Sequence, residues 1–289
     1  MRQFEKILVV VDPRSETQPV LERARQIALV TKASLHLLAL NPRYEKYSLR
    51  GLDTLIKPVQ DREIELHIHE TWHRNAIETI NHVQQMEGCQ LVMKNAREEG
   101  VLAQAFGKPE DWQLLRQSRV PVLLVKDGQP WRTHMPIIAA VNADREDIGH
   151  IQLNQAILEY AGYMVKAFNG ELHLASACST QMQAIQDHGD GLDSKQSYMN
   201  ICRGYARDFH LNINHIHVKA GAAETVISKV VKKTGAELLV IGTHARKGIS
   251  AMAIGNTAEQ LITETAVDML VLQPIHHMEP LETELGRVR

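Results

Sequence analysis

Closely paired cysteines, long apolar runs and an excess of charge of one sign are all missing from this sequence. Its three cysteines, Cys89, Cys178 and Cys202, form no close-spaced pair and cannot all pair with one another. We therefore expect buried thiols in a cytoplasmic protein rather than disulfides. No apolar run is long enough for a membrane span or a signal-peptide core. Acidic and basic residues are interspersed and leave a formal net charge of -2, which indicates neither a nucleic-acid partner nor a membrane partner.

The short motifs of several enzyme classes are missing as well. Neither G-x-x-x-x-G-K-[ST] nor G-x-G-x-x-G occurs, so neither a P-loop ATPase nor a dinucleotide oxidoreductase is indicated. Ser250 does not lie in a G-x-S-x-G elbow, and no cysteine has a histidine and an acid nearby in sequence. Residues 69–73 match H-E-x-x-H, but His69 ends a strand-like run and the next helix is expected only from about Asn75. The helical spacing that a zinc protease needs is therefore absent.

The same order of strands and helices occurs twice along the 289 residues. This length is about twice that of a usual domain. Apolar strand-like runs alternate with helical patterns in each half, and their order matches between the halves. We predict a first domain over residues 1–131, a second over residues 132–275 and a polar tail over residues 276–289. The strand-like runs cover residues 6–12, 34–40, 64–69, 90–94 and 120–125, and then 137–142, 171–175, 215–217, 238–242 and 269–272. Residues 179–197 are predicted as an inserted loop.

Helical crossovers between apolar strands favour an α/β fold with a parallel five-stranded sheet in each half and helices on both faces. A strand order of 3-2-1-4-5 places a crevice between the first and fourth strands, where such folds bind ligands. In the first half Asp12 and Asn95 would face each other across this crevice. Asn142 and Gly242 would do so in the second half.

One loop, residues 242–257, is the strongest functional signal in the sequence. It follows the fourth apolar run of the second half and leads into a helical pattern, so it lies beside the predicted crevice. Glycines in such a loop let the backbone approach a phosphate, and Asn256 and Thr257 can begin a helix whose free N–H groups point at an anion. Its basic residues Arg246 and Lys247 either contact a phosphate or extend into solvent.

This loop resembles the nucleotide-binding loop of the universal stress protein family, which has the pattern G-x-x-G, nine residues, then G-[ST]. Residues 70–74, 111–116 and 121–127, together with the duplication, are similar to the bacterial tandem members of the family. The resemblance implies two Rossmann-like domains packed as an internal pseudo-dimer, and a stress-response protein that binds ATP or a related adenine nucleotide, with magnesium as a possible companion ion. The corresponding residues are Asn142, Gly242, Thr243, Ala245, Gly255, Asn256 and Thr257.

Three of these positions depart from the family pattern. Its nucleotide binders carry Asp at the end of the first strand, a second Gly in the loop, and Ser or Thr after the last Gly. Asn142, Ala245 and Asn256 stand there in this sequence. The methyl group of Ala245 would clash if its position needs a positive φ or a close phosphate. We therefore expect weakened or altered nucleotide affinity in the second domain.

The equivalent loop of the first half has lost the pattern. The residues that correspond to Ala245, Gly255, Asn256 and Thr257 are Glu98, Lys108, Pro109 and Glu110. Two carboxylates repel phosphate, and proline has no N–H to donate. We expect no nucleotide site of the family type in the first domain.

Histidines at alternate positions occur at the same place in both halves. His67 and His69, like His215 and His217, lie two residues apart, which puts each pair on one face of a strand. The preceding strands carry His36 and His173, which could join them. The pairs are either metal ligands, with zinc as the metal, or structural histidines covered by helices.

Our leading hypothesis is thus a cytoplasmic ligand-binding stress protein with an adenine-nucleotide site in the second domain. One alternative is a carrier or scaffold for another small or lipid-like metabolite, with or without zinc, and another is a slow ATPase. The partner is expected to be a small molecule. The chain is either a monomer with an internal pseudo-dimer, in which the fifth strands of the two halves pair, or a homodimer.

Overall fold

The computed structural model describes residues 3–13, 18–40, 54, 56–96, 110–143, 148–178, 192–243, 256–273 and 278. The chain divides into two compact units. The N-terminal unit contains the chain up to Trp131 together with the last strand, and the C-terminal unit contains residues 132–267. Each unit is described separately below.

The N-terminal unit alternates strands and helices in the predicted order. Its parallel strands run β3-β2-β1-β4-β5, which confirms the 3-2-1-4-5 order expected from the sequence. The elements are β1 (Lys6–Val11), α1 (Pro19–Thr31), β2 (Ser34–Leu40), a 3-10 turn (Lys57–Val59), β3 (Leu66–Thr71), α2 (Ala76–Glu87), β4 (Leu91–Asn95), α3 (Glu110–Gln117) and β5 (Val122–Val125).

The C-terminal unit repeats this arrangement. Its strands β8-β7-β6-β9 are parallel and correspond in order to β3-β2-β1-β4. The elements are β6 (Pro136–Ala140), α4 (Ile148–Phe168), β7 (Glu171–Cys178), α5 (Leu192–Asp208), a 3-10 turn (Ile213–His215), β8 (Ile216–Ala220), α6 (Ala223–Thr234), β9 (Leu238–Gly242) and α7 (Asn256–Glu264).

The last strand, β10 (Asp268–Leu272), lies in the N-terminal unit. It pairs antiparallel with β5, with Leu270 opposite Leu123. The pairing of the two fifth strands within one chain is therefore confirmed. The domain division predicted from the sequence assigned this strand to residues 132–275, whereas its contacts place it with the first repeat. The reason is that β10 covers the otherwise open edge of β5.

Local signals explain where several elements begin and end. Asn75 precedes α2, and its side chain accepts a hydrogen bond from the backbone N–H of Glu78 at 2.9 Å, which is a helix N-cap. Gly88 follows the same helix with a φ of 66°, a left-handed conformation that glycine adopts without strain. The central strands β1, β4, β6 and β9 are almost entirely buried, as expected for strands covered by helices on both faces.

Two predictions about the connections differ from the structure. Residues 192–197 were predicted within a loop, but α5 begins at Leu192. A polar start is compatible with a helix that buries only one face. In α5 the buried residues Tyr198 and Cys202 come after this polar segment. The strand predicted from residue 64 begins at Leu66. The tail over residues 276–289 lies outside the described residues apart from residue 278.

The cysteines are buried and unpaired, as expected from their spacing. Burial raises the pKa of the Cys89 and Cys202 thiols to about 12, so both stay protonated and behave as small core residues. In the part of the chain that the structure describes, no helix has the length and apolar character needed to cross a lipid bilayer.

Candidate functional site

The predicted ligand crevice of the C-terminal unit lies at the carboxyl ends of β6 and β9. These strands are neighbours, with Ala140 opposite Ile241. Asn142, two residues after β6, and Gly242, the last residue of β9, therefore lie at the same edge of the sheet. The side chain of Thr243 is buried, whereas Asn142 is exposed. The structure thus brings these three predicted site residues to one edge, where α/β folds bind ligands.

The remaining predicted residues are placed less completely. Asn256 is the first residue of α7, as the sequence indicated, and Thr257 follows it and is half-buried. The first turn of this helix therefore offers N–H groups without partners inside the helix, which favour an anion. Ala245 and Gly255 lie outside the described residues.

The backbone at the end of β6 is held by Asn154, a buried residue of α4. Its Oδ1 accepts a hydrogen bond from the backbone N–H of Asn142 at 3.0 Å, and its Nδ2 donates to the carbonyl of Asn142 at 2.6 Å. Nδ2 also lies 3.2 Å from the hydroxyl of Tyr205 on α5. The two hydrogen bonds from Asn154 hold the backbone of Asn142 in place and so fix the position of its Cα atom.

Packing leaves little space for a side chain at Gly242. A Cβ atom at this position would clash with Cδ2 of Leu153, which is buried on α4, and would lie 2.6 Å from its Cγ. This distance is far below van der Waals contact. The sequence indicated a phosphate role for this glycine, and the structure adds a second reason for it, which is the close approach of α4 to the end of β9.

The equivalent crevice of the N-terminal unit is occupied by its own side chains. Asn95 stands where the C-terminal unit has Gly242, and its Oδ1 accepts a hydrogen bond from the backbone N–H of Val20 at 2.8 Å. Its Nδ2 donates to Gln18, whose Nε2 in turn donates to the carbonyl of Asp12 at 2.6 Å. These side chains satisfy the start of α1, which supports the expectation that this unit has no nucleotide site of the family type.

Replacing Asn95 by alanine is expected to lower the free energy of unfolding by about 1 kcal/mol, because a helix N–H loses its acceptor. Asn95→Asp keeps the oxygen that accepts from Val20 and should retain most of that stability. Urea unfolding of both variants measures the difference. An equal loss in both variants would show that the contact with Gln18, rather than the contact with Val20, carries the effect.

The histidines form one cluster in each unit. In the N-terminal unit His36 lies opposite His67 on neighbouring strands, and two residues further along Leu38 lies opposite His69. Nδ1 of His36 lies 3.2 Å from Nε2 of His69 and 3.5 Å from Oε2 of Glu87, at the end of α2. We call His36, His69 and Glu87 the N-terminal cluster.

The C-terminal unit has a second group, formed by residues of β7, of β8 and of the 3-10 turn that ends at His215. The prediction that His215 and His217 share one face of a strand is therefore wrong, because His215 precedes β8. Nε2 of His215 lies 3.0 Å from Oε1 of Glu171, and Nε2 of His173 lies 3.6 Å from Oε2 of the same carboxylate. Nδ1 of His173 lies 3.1 Å from Nε2 of His217. We call Glu171, His173 and His215 the C-terminal cluster.

Only two of the four histidines predicted as metal ligands lie in these clusters. His69 and His215 belong to groups whose potential ligand atoms all lie within 4.8 Å of one another. His67 stacks on His36 with ring centroids 4.7 Å apart, and its Nε2 lies 3.0 Å from Oε1 of Glu65 instead. His217 contacts His173 but not the carboxylate. Sequence reasoning included His36 and His173 as additional candidates and missed Glu87 and Glu171.

The model of the universal stress protein family matches residues 3–126 and 149–273. The chain belongs to the universal stress protein family. The two matches confirm the tandem arrangement of two domains of this type.

Two relatives and one solved structure match this universal stress protein over nearly their whole length. The universal stress protein E homolog of Haemophilus influenzae is 29% identical over 94% of this chain and 98% of its own. Universal stress protein E of Escherichia coli K12 is 29% identical over 98% of both chains. A solved structure of a functionally unknown protein from Pseudomonas aeruginosa PAO1 is 31% identical, covers 98% of both chains and superposes with a TM-score of 0.80. The resemblance to the E-type tandem members is confirmed.

The environment of the two histidine clusters keeps their central imidazoles neutral. Burial lowers the pKa of His36, with a further contribution from His67, while Glu87 acts in the opposite direction. Burial likewise lowers the pKa of His173, and it lowers that of His217 to about 4. A neutral imidazole retains a lone pair on one ring nitrogen, so it accepts a hydrogen bond or binds a metal.

Proposed function

We propose that this stress-response protein binds an adenine nucleotide in its C-terminal unit, with the base or ribose at Asn142 and the phosphates beside Gly242, Thr243 and the first turn of α7. The observation that carries the proposal is the difference between the two crevices. Asn95 and Gln18 bridge the crevice of the N-terminal unit, whereas Gly242 extends no side chain into the matching position. ATP, with or without magnesium, is the nucleotide that the family resemblance indicates.

The loop sequence supports weak or altered binding. Residues 242–257 keep the first and last glycines of the family pattern, and α7 begins at the expected Asn256. Ala245 and Asn256 replace the second glycine and the Ser or Thr of that pattern, so the phosphate contacts are expected to be less favourable. With such an affinity the protein would act as a ligand sensor. Its cytoplasmic location stays a prediction.

A first experiment identifies the bound molecule. The purified protein is denatured, and the released small molecules are analysed by absorbance at 260 nm and by mass spectrometry. An adenine nucleotide in the supernatant supports the proposal. A lipid-like or other metabolite in its place would support the carrier alternative, and release of ADP during incubation with ATP would support slow hydrolysis.

Titration calorimetry with ATP and magnesium tests the site itself. Asn142→Ala should weaken binding about 5- to 30-fold, which corresponds to the loss of one or two hydrogen bonds. Asp12→Ala is the matched control, since Asp12 occupies the equivalent position in the N-terminal unit, and it should leave the affinity unchanged. Equal effects of the two substitutions would contradict the assignment to the C-terminal unit.

The loop is tested separately. Ala245→Gly restores the family pattern, and we expect it to increase nucleotide affinity because it removes a methyl group that limits φ and phosphate approach. If neither the natural protein nor the Ala245→Gly variant binds nucleotide at millimolar concentration, residues 242–257 are not a nucleotide site.

A further inference from the structure

The two histidine clusters lie away from the ligand crevice. His36 and His173 are each the third residue of their strand, and Glu87 is the last residue of α2. The clusters therefore lie toward the amino ends of the strands, whereas the crevice lies at the carboxyl ends. We propose that each cluster binds a divalent transition-metal ion of the zinc type through two imidazole nitrogens and one carboxylate.

Two of the ligand-atom distances in each cluster are close to those of a tetrahedral metal site. Zinc bonds of about 2.0–2.2 Å at tetrahedral angles place neighbouring ligand atoms about 3.3–3.6 Å apart. In the N-terminal cluster Nδ1 of His36 lies 3.2 Å from Nε2 of His69 and 3.5 Å from the Glu87 carboxylate. In the C-terminal cluster the Glu171 carboxylate lies 3.0 Å from His215 and 3.6 Å from His173. The third pair of the N-terminal cluster, Nδ1 of His69 and Oε1 of Glu87, lies 3.9 Å apart, and the potential ligand atoms of each cluster all lie within 4.8 Å of one another. A metal ion would therefore need side-chain rotations that bring all three ligands to bonding distance.

The ligand types and the burial also favour a metal. Two imidazoles and a carboxylate are a common ligand set for zinc with one further position open to water. The side chain of His36 is 3% exposed and that of His173 is 10% exposed, so each cluster has one imidazole ligand that is almost fully enclosed by the protein.

His217 positions a ligand of the C-terminal cluster. It contacts Nδ1 of His173, which leaves Nε2 of the same ring facing Glu171. A hydrogen bond to the second nitrogen of a metal-binding histidine is the usual way to fix its ring orientation. In the N-terminal cluster Nε2 of His36 is buried and has no such partner among the described residues. We therefore expect the C-terminal cluster to bind the metal more tightly.

Basic side chains near each cluster limit the affinity. Lys6 acts on His36 of the N-terminal cluster, and Lys233 acts on His173 of the C-terminal one. Their charges oppose a cation, although Glu87 and Glu171 offset them in part. Micromolar rather than nanomolar affinity is expected for this reason. The metal would join β2 to α2 and to β3, the edge strand of the N-terminal unit, and thus stabilise that edge.

Metal-stripped full-length protein is titrated with zinc chloride and analysed by mass spectrometry and calorimetry. We expect two zinc ions per chain and a rise in the melting temperature of about 5 °C or more at saturation. Cobalt in place of zinc should give the absorption bands of a tetrahedral site. No binding at 100 μM metal, or cobalt bands of an octahedral aqua ion only, would overturn the proposal.

Single substitutions then assign the ions. His69→Ala should remove one ion and His215→Ala the other, and the double variant should bind none. His73→Ala is the control, because His73 completes the H-E-x-x-H match but belongs to neither cluster, and it should retain both ions. Retention of both ions in the double variant would overturn the assignment. If a variant fails to fold, His69→Gln and His215→Gln replace it, and the cobalt spectrum of the unchanged protein decides independently. None of these results depends on nucleotide binding.

Discussion

Arg23→Ala is expected to lower the free energy of unfolding by about 3–5 kcal/mol, the largest effect that we predict for a single side chain. Arg23 Nε donates to Oδ2 of Asp268 at 2.6 Å, and the side chains of these residues are only 3% and 2% exposed. Removal of the guanidinium leaves a buried carboxylate without its counter-charge.

Arg23 also holds the segment that follows β5. Its guanidinium donates to the carbonyls of Asp127 and Gln129, and it lies 4.0 Å from the ring centroid of Trp131. Oδ1 of Asp268 accepts from the backbone N–H of Lys126 at 2.7 Å. One ion pair therefore connects α1, the start of β10 and the end of β5, so its loss is expected to loosen the pairing of β10.

Burial also makes the charged forms of Arg23 and Asp268 costly in free energy, because both side chains lose their contact with water. Burial raises the pKa of Asp268, and the nearby Arg23 offsets this only in part. A raised carboxyl pKa means that the charged form is disfavoured in the folded state. We therefore expect the ion pair to fix the correct pairing of β10 with β5 more than to add net stability. The double variant Arg23→Met with Asp268→Leu should therefore recover part of the stability that Arg23→Ala loses. It should not recover all of it, because the carbonyls of Asp127 and Gln129 and the N–H of Lys126 lose their side-chain partners.

Urea unfolding followed by circular dichroism measures these differences. Arg25→Ala is the matched control, because Arg25 lies on the same helix and pairs with Asp61 at 3.2 Å, with side chains that are 41% and 28% exposed. It should change the stability by less than about 1 kcal/mol. If Arg25→Ala costs as much as Arg23→Ala, the effect belongs to α1 in general and not to the buried pair.

Gly242→Ala is expected to destabilise the C-terminal unit by about 1–3 kcal/mol. The added Cβ would clash with Cδ2 of Leu153 and would lie 2.6 Å from its Cγ. Leu153 is 3% exposed and has little room to move, so the strain passes to α4 and to the residues after β6. Thermal unfolding measures the loss, and nucleotide binding by the same variant shows whether the crevice changes with it.

Two further variants identify the cause. Leu153→Ala leaves a cavity and should cost about 2–5 kcal/mol alone, but its combination with Gly242→Ala should cost less than the sum, because the new methyl fills part of that cavity. Gly162→Ala on the same helix has open space around the new Cβ and should be neutral or slightly stabilising. Strict additivity of Gly242→Ala and Leu153→Ala would contradict the proposed clash.

Most of the fold could be predicted because its signals are local. Apolar runs of three to seven residues between helical patterns predicted the strands, and the repeated order predicted the two domains. The helix expected from about Asn75 is α2, which begins at Ala76. The failure over residues 192–197 has a physical cause, since a polar segment that begins a helix with one buried face has nearly the composition of a loop.

The candidate sites were predictable only in part. Alternation along a strand placed His67 and His69 on one face, and the preceding strand offered His36 as a neighbour, but neither pattern showed that the Glu87 carboxylate lies beside His36 and His69. Glu87 follows His69 by 18 residues and acts from a helix, so no short motif joins them. The packing of Leu153 against Gly242 was equally invisible, because it depends on how closely α4 approaches β9.

The amino-acid sequence by itself determined the repeated α/β architecture, the position of the ligand loop at a strand end, and the loss of that loop's pattern in the first repeat. These follow from periodicity, glycine placement and charge along the chain, which act over a few residues. Only the tertiary structure decided the buried pair of Arg23 and Asp268, the contact of Leu153 with Gly242, and the carboxylates that join the two histidine clusters. These depend on contacts between residues far apart in sequence, which form only when the strands and helices are packed together.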